Sequence, residues 1–308
     1  MIIGASLLWF NDVLKELIKG DLRKSDRFDY SIQAKKAIDV GFNHIELVMN
    51  MYYFLPNSRG NLTKENMEKL KLLKEANGIT YSVHLPFWSV DPSSYIEEIR
   101  KSSVDVYVKS IQAVEELNPT TYVLHATSGL AAEIYGQKLE DSQKKACIRL
   151  FAENSRKTVE ELIEHMSSMG ISSRKLALES IKFPFSHSIE LANEFNTSVC
   201  VDVGHILEGF PGDMNVEEAM RASAGRIGEI HVHDVYRNVD GSRVIVKDHL
   251  PLGSGCLNTR ELINLIEYTK FDGPIILEMK FEDAITSVKK LKSIIIQPLK
   301  DTKLAFLK

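Results

Sequence analysis

Six of the nine histidines in this 308-residue chain, together with three carboxylates, stand at or just beyond the ends of short apolar runs. The runs close in Val83-His84-Leu85, Leu124-His125, Leu178-Glu179, Val201-Asp202-Val203-Gly204-His205, Ile230-His231-Val232-His233-Asp234 and Leu277-Glu278, with His249 between the last two. Neutral imidazoles mixed with carboxylates suit Zn or Mn, and also Fe or Co. No local motif such as His-Glu-x-x-His is needed if the fold gathers successive run ends. Buried carboxylates at Glu179, Asp202 and Glu278 require a cation or donors to offset desolvation, and no Lys or Arg occupies a neighbouring run end. Any one of these histidines alone reads as a satisfied structural residue. The whole set reads as a polynuclear metal centre.

The remaining candidates are weaker. His231 and His233 share one side of their run by period two, so one of them is expected to support the site or bind substrate. His44 begins its run and His165 sits in a helical stretch, which makes both structural or solvated. His187 is undecided, and Glu46, in Ile45-Glu46-Leu47, is balanced between pocket and structural roles. Cys147, Cys200 and Cys256 lack any Cys-x-x-Cys spacing, which argues against a disulfide framework or a thiolate zinc site.

The elements that position these groups follow from periodicity. Eight runs rich in β-branched and apolar residues are predicted as strands: Ile2–Leu7, His44–Met49, Thr80–Leu85, Thr121–His125, Leu176–Glu179, Ser198–Asp202, Gly228–His233 and Pro274–Glu278. Helical patterns lie between or after them at Thr63–Ala76, Tyr95–Leu117, Asp141–Met169, Thr259–Tyr268 and Phe281–Leu291. Strands that are hydrophobic throughout, alternating with helices, fit a single-domain α/β fold spanning residues 1–308, a (β/α)8 TIM barrel. An open doubly wound sheet would carry a Gly-rich phosphate turn, and neither Gly-x-Gly-x-x-Gly nor a P-loop is present. An inserted helix is expected at about 10–28 and a long rim loop at about 236–256. In such a barrel chemistry gathers at the carboxyl ends of the strands, where the polar residues fall.

Composition narrows the partners. Lys and Arg number 38 against 42 Asp and Glu, a net charge of −4, which lacks the excess needed to coat nucleic acid. No apolar stretch approaches the roughly 20 residues of a membrane span, and no basic leader precedes the first strand, so a cytoplasmic protein is expected. The oligomeric state is not legible.

At these residues the chain resembles the xylose isomerase-like barrel superfamily, which holds endonuclease IV-type hydrolases and sugar isomerases and epimerases. Val199-Cys200-Val201-Asp202-Val203-Gly204-His205 with Glu208-Gly209-Phe210 is the most specific stretch; Ile230–Asp234 and Pro274–Glu278 follow in order. The resemblance implies a shared metal site of Glu179, Asp202, His231 and Glu278, with His84 and His125 joining Glu179 at a second metal. It makes His205 and His249 ligands of a third metal or substrate-binding groups. Lys247 stands where the family has aspartate, with Asp248 one residue on. A third metal is therefore expected to be weak, with His205, His233, Lys247 and His249 binding substrate.

The two extra imidazoles favour a phosphodiester hydrolase acting on a small non-DNA substrate, phosphorylated or sugar-like. The alternative is a sugar or sugar-phosphate isomerase or epimerase, with one metal and proton transfer by Glu179 and Glu278.

Overall fold

The computed structural model describes residues 1–7, 29–54, 62–240 and 243–296. The expected inserted helix at about 10–28 lies outside the described residues. Eight parallel strands close into a barrel: β1 (Ile2–Ser6), β2 (His44–Val48), β3 (Thr80–His84), β4 (Tyr122–His125), β5 (Leu176–Glu179), β6 (Ser198–Asp202), β7 (Ile227–Val232) and, after a hairpin of β8 (Asp234–Asp240) and β9 (Arg243–Leu250), β10 (Pro274–Leu277), which pairs with both β7 and β1. The expected strands coincide with these to within a residue or two at each end. Their near-complete burial explains why apolar runs rather than alternation mark them.

Helices cover the barrel: α1 (Tyr30–Asp39), α2 (Asn50–Phe54), α3 (Lys64–Asn77), α4 (Glu97–Val114), α5 (Gly129–Gly136), α6 (Asp141–Ser168), α7 (Phe185–Phe195), α8 (Val203–Glu208), α9 (Val216–Ala222), α10 (Thr259–Thr269) and α11 (Phe281–Ile296). Their starts are written in side chains. Asp29, Thr63 and Asn258 accept backbone N–H bonds at the first turns of α1, α3 and α10, and Asn215 with Glu218 forms a capping box on α9.

The expected rim loop is an antiparallel hairpin, β8 (Asp234–Asp240) and β9 (Arg243–Leu250). Asp234 anchors its base by accepting the N–H groups of Val235 (2.8 Å), Gly253 (2.7 Å), Gly255 (2.9 Å) and Leu257 (2.9 Å). A side chain at Gly255 would collide with the Val235 carbonyl, so glycine is required for this close approach.

The barrel interior is unusually polar. Ser82 on β3 donates to Glu229 on β7 at 3.0 Å, and Glu46 on β2 faces His231 on β7 at 3.0 Å. These strands are not neighbours, so both contacts cross the barrel axis. Such interiors are ordinarily filled by bulky branched side chains.

Candidate metal centre

The strand ends converge as their sequence positions require. Glu179 at the end of β5 is the hub: Oε2 lies 3.2 Å from His125 Nε2 and 3.3 Å from His84 Nε2, while Oε1 lies 3.4 Å from His205 Nδ1 and 3.8 Å from His231 Nδ1. His231 Nδ1 also lies 3.2 Å from Glu278 Oε2 and 3.9 Å from Asp202 Oδ2. Asp202 performs two tasks, since its Oδ1 accepts the His205 N–H at 2.7 Å and caps α8. Glu179, Asp202, His231 and Glu278 each offer a ligand atom within 4.8 Å of the others, and His84, His125 and Glu179 form a second such set.

Several of these atoms lack hydrogen-bond partners although buried: Glu179 Oε2, Asp202 Oδ2, His231 Nδ1 and Glu278 Oε2. Unmatched buried oxygens around an unmatched ring nitrogen fit a divalent cation, which would satisfy them together. The donor set, three carboxylates and one imidazole, suits Zn or Mn.

Electrostatics tie the group together. Burial pushes the Glu179 carboxyl up, but the imidazoles of His125 and His231 outweigh it and hold the group well below its ordinary range. Asp202 and Glu278 are lowered in the same way, against burial, by His205 and His233 and by His231 respectively. Burial opposes charge on His84, yet the adjacent Glu179 carboxylate and the field of Glu46 raise it to about 9; His205 is raised to about 10 by Asp202 and Glu179 against the same penalty. Burial lowers His125.

Second contacts orient the rings. His84 Nδ1 donates to the Leu85 carbonyl at 2.9 Å, which leaves Nε2 facing Glu179. His233 Nδ1 accepts the His249 N–H at 3.0 Å, its ring stacks on His249 at 4.1 Å, and Nε2 lies 3.4 Å from Asp202 Oδ1. A Cβ at Gly204 would collide with the His233 ring, so only glycine permits this arrangement.

A cavity of about 630 Å³ opens over the centre, walled by Phe87, Lys182, His205, Phe210 and His249. Phe87 stacks on His125 and Phe210 on His205, with Lys182 Nζ 4.5 Å above the Phe210 ring. Lys182, with φ 45°, is the one Lys or Arg lining the cavity among the described residues.

Lys247 corrects the expectation of a substrate cation on the rim strand. It is exposed on β9 and does not line the cavity. A register shift in the hairpin and a left-handed His249 (φ 50°) instead bring Asp248 Oδ2 to 3.3 Å from His249 Nδ1, the local irregularity that Asp248 needed. His187 is buried in α7 against Ser155 and Phe183, and burial lowers it to about 4. Glu46 points into the barrel. Sequence reasoning missed Glu229 and Lys182, although Glu229 stands two residues before His231 on the same face.

The sequence profile of the xylose isomerase-like TIM barrel matches residues 34–295. The chain belongs to that family. It is 25% identical over 243 residues to the uncharacterized protein MJ1311 of Methanocaldococcus jannaschii, covering 75% of each chain. Its fold is similar to that of a D-tagatose 3-epimerase-like protein (21% identity, TM-score 0.67, 96% of this chain and 97% of that one). It is also similar to the IOLI protein with a binding zinc atom (14% identity, TM-score 0.64, 96% and 98%). The phosphodiesterase expected first finds no support in these likenesses. No helix among the described residues is long and apolar enough to cross a membrane.

Proposed function

We propose that the protein is a divalent-metal-dependent epimerase or isomerase of a small sugar-like hydroxy-ketone. The observation that carries this reading is the convergence of two glutamates, Glu179 and Glu278, on His231 Nδ1 at 3.8 and 3.2 Å, in one buried set with Asp202. Fold similarity to an epimerase-like protein supports it over hydrolysis. A bound Zn or Mn ion would supply Lewis-acid polarisation of adjacent carbonyl and hydroxyl oxygens.

The chain's own residues do the rest. One of the two glutamates removes the proton from the carbon beside the carbonyl, and the other returns a proton from the opposite face. His205 and His249 orient hydroxyls, with His233, buried behind them and absent from the cavity wall, holding the His249 backbone rather than binding substrate as expected; Phe87 and Phe210 pack on the carbon skeleton, and Lys182 takes the role anticipated for Lys247 at the cavity wall. The reading is tested by incubating the Zn- or Mn-loaded protein with ketohexoses and ketopentoses in D2O. Solvent deuterium should enter at the carbon next to the carbonyl and be lost in Glu278→Gln; no exchange with any of these sugars would count against the reading.

A second reading rests on His84 and His125, whose Nε2 atoms both face Glu179 Oε2. Were these a second metal's ligands, hydrolysis of a small phosphodiester would follow, as clustered metals activate water and stabilise phosphoryl oxygens. Two ions per chain with turnover of bis(p-nitrophenyl) phosphate would favour it.

A further inference from the structure

Beneath the candidate metal ligands, inside the barrel, lie two carboxylates that the proposed chemistry does not use. Glu46 on β2 and Glu229 on β7 are fully buried, and both face the same atom: His231 Nε2 is 3.0 Å from Glu46 Oε1 and 3.4 Å from Glu229 Oε1. Period two along β7 sets Glu229 one step below His231 on the same face, while Glu46 reaches it from across the barrel. Ser82 Oγ donates to Glu229 Oε1 at 3.0 Å and fixes that side chain. The opposite ring nitrogen, Nδ1, is the unmatched atom that faces Glu278, Glu179 and Asp202.

An imidazole with carboxylates on one nitrogen carries its proton there and presents a lone pair from the other. We propose that Glu229, hydrogen-bonded to His231 Nε2, and Glu46, whose carboxylate faces the same nitrogen at 3.0 Å, are a positioning pair that keeps the proton of His231 on Nε2 and dedicates Nδ1 to the metal. The inference rests on the metal reading above. It accounts for two acids in a layer where a barrel normally places branched apolar side chains, at a desolvation cost that packing alone does not offset. Neither residue reaches the cavity, so the pair acts through His231.

The test compares Glu46→Gln, Glu229→Gln and the double variant with wild type, all chelator-treated, by Co2+ titration followed in the visible spectrum and by thermal unfolding of the metal-free proteins. Each single variant should bind Co2+ roughly 10-fold more weakly, and the double variant up to about 100-fold. Their metal-free unfolding midpoints should hold or rise, because each change removes one of two neighbouring buried carboxylates. A purely structural role gives the reverse pattern, lower midpoints with unchanged affinity of the folded protein, and overturns the inference. If the double variant does not fold, the singles decide, and wild-type affinity in both overturns it. A wild-type protein that binds no Co2+ overturns the metal reading and this inference together, whereas wild-type binding retained in the variants removes only the inference.

Discussion

Replacing Glu179 by Gln should separate the two contributions this residue makes. The carboxylate is 1% exposed and meets four imidazoles within 3.2 to 3.8 Å. Gln is nearly isosteric, so no cavity forms and the change is electrostatic. Removing one partner from a buried ion pair costs about 3–5 kcal/mol, which lowers the midpoint of the metal-free protein by roughly 6–20 °C at ~2–4 °C per kcal/mol. In wild type, Zn at 100 times its dissociation constant adds about 2.7 kcal/mol and returns a rise of roughly 5–10 °C. The variant should lose most of that rise, because Glu179 belongs to both ligand sets. Differential scanning calorimetry on chelator-treated protein, with and without Zn, reads both effects. A variant as stable as wild type without metal, or equally stabilised by Zn, would refute the reasoning.

Three further outcomes follow from the same geometry. Burial lowers His44 from 6.5 to about 3 with its ring 2.6 Å from Thr80 Oγ1, so the unfolded chain binds the extra proton first. The stability from keeping His44 neutral is present above about 6.5 and falls by about 2 kcal/mol at pH 5; His44→Gln should flatten urea midpoints between those pH values, and an unchanged slope would exclude this source. Because His84 is raised to about 9 and His205 to about 10, their contribution to metal-free stability is full below about 6.5 and lost as pH rises through 9–10. Metal uptake should therefore strengthen from pH 6 to 8 and release protons into weak buffer, and pH-independent uptake would contradict the arrangement. Once a substrate is found, Lys182→Ala should raise KM about 10-fold or more with little change in kcat, while Lys247→Ala leaves both near wild type; steady-state kinetics showing the reverse would return the role to Lys247.

The barrel was legible because its strands are buried on both faces and end in polar residues, so apolar runs and their terminal His, Asp and Glu stand out together. The grouping of the candidate ligands was legible for a related reason: Glu179, Asp202, His231 and Glu278 occupy comparable heights on successive strands, which the closed register brings together. Interior direction was less so. Glu46 sits mid-strand in a run buried on both sides, where alternation carries no sign of which face points to the axis. Lys247 misled because a linear alignment assumes an uninterrupted strand, and the register shift beside Asp234 with the left-handed His249 re-aims its neighbours.

The central claim is that Glu179, Asp202, His231 and Glu278 hold a divalent metal. Crystals grown from Zn- or Mn-loaded protein without chelator, with anomalous data collected at the metal edge, test it most directly. A full-occupancy peak is expected, bonded to His231 Nδ1 and to oxygens of Glu179, Asp202 and Glu278, with His231 Nε2 still against Glu46. A loaded crystal with no anomalous peak there, or with His231 turned to ligate through Nε2, would contradict it.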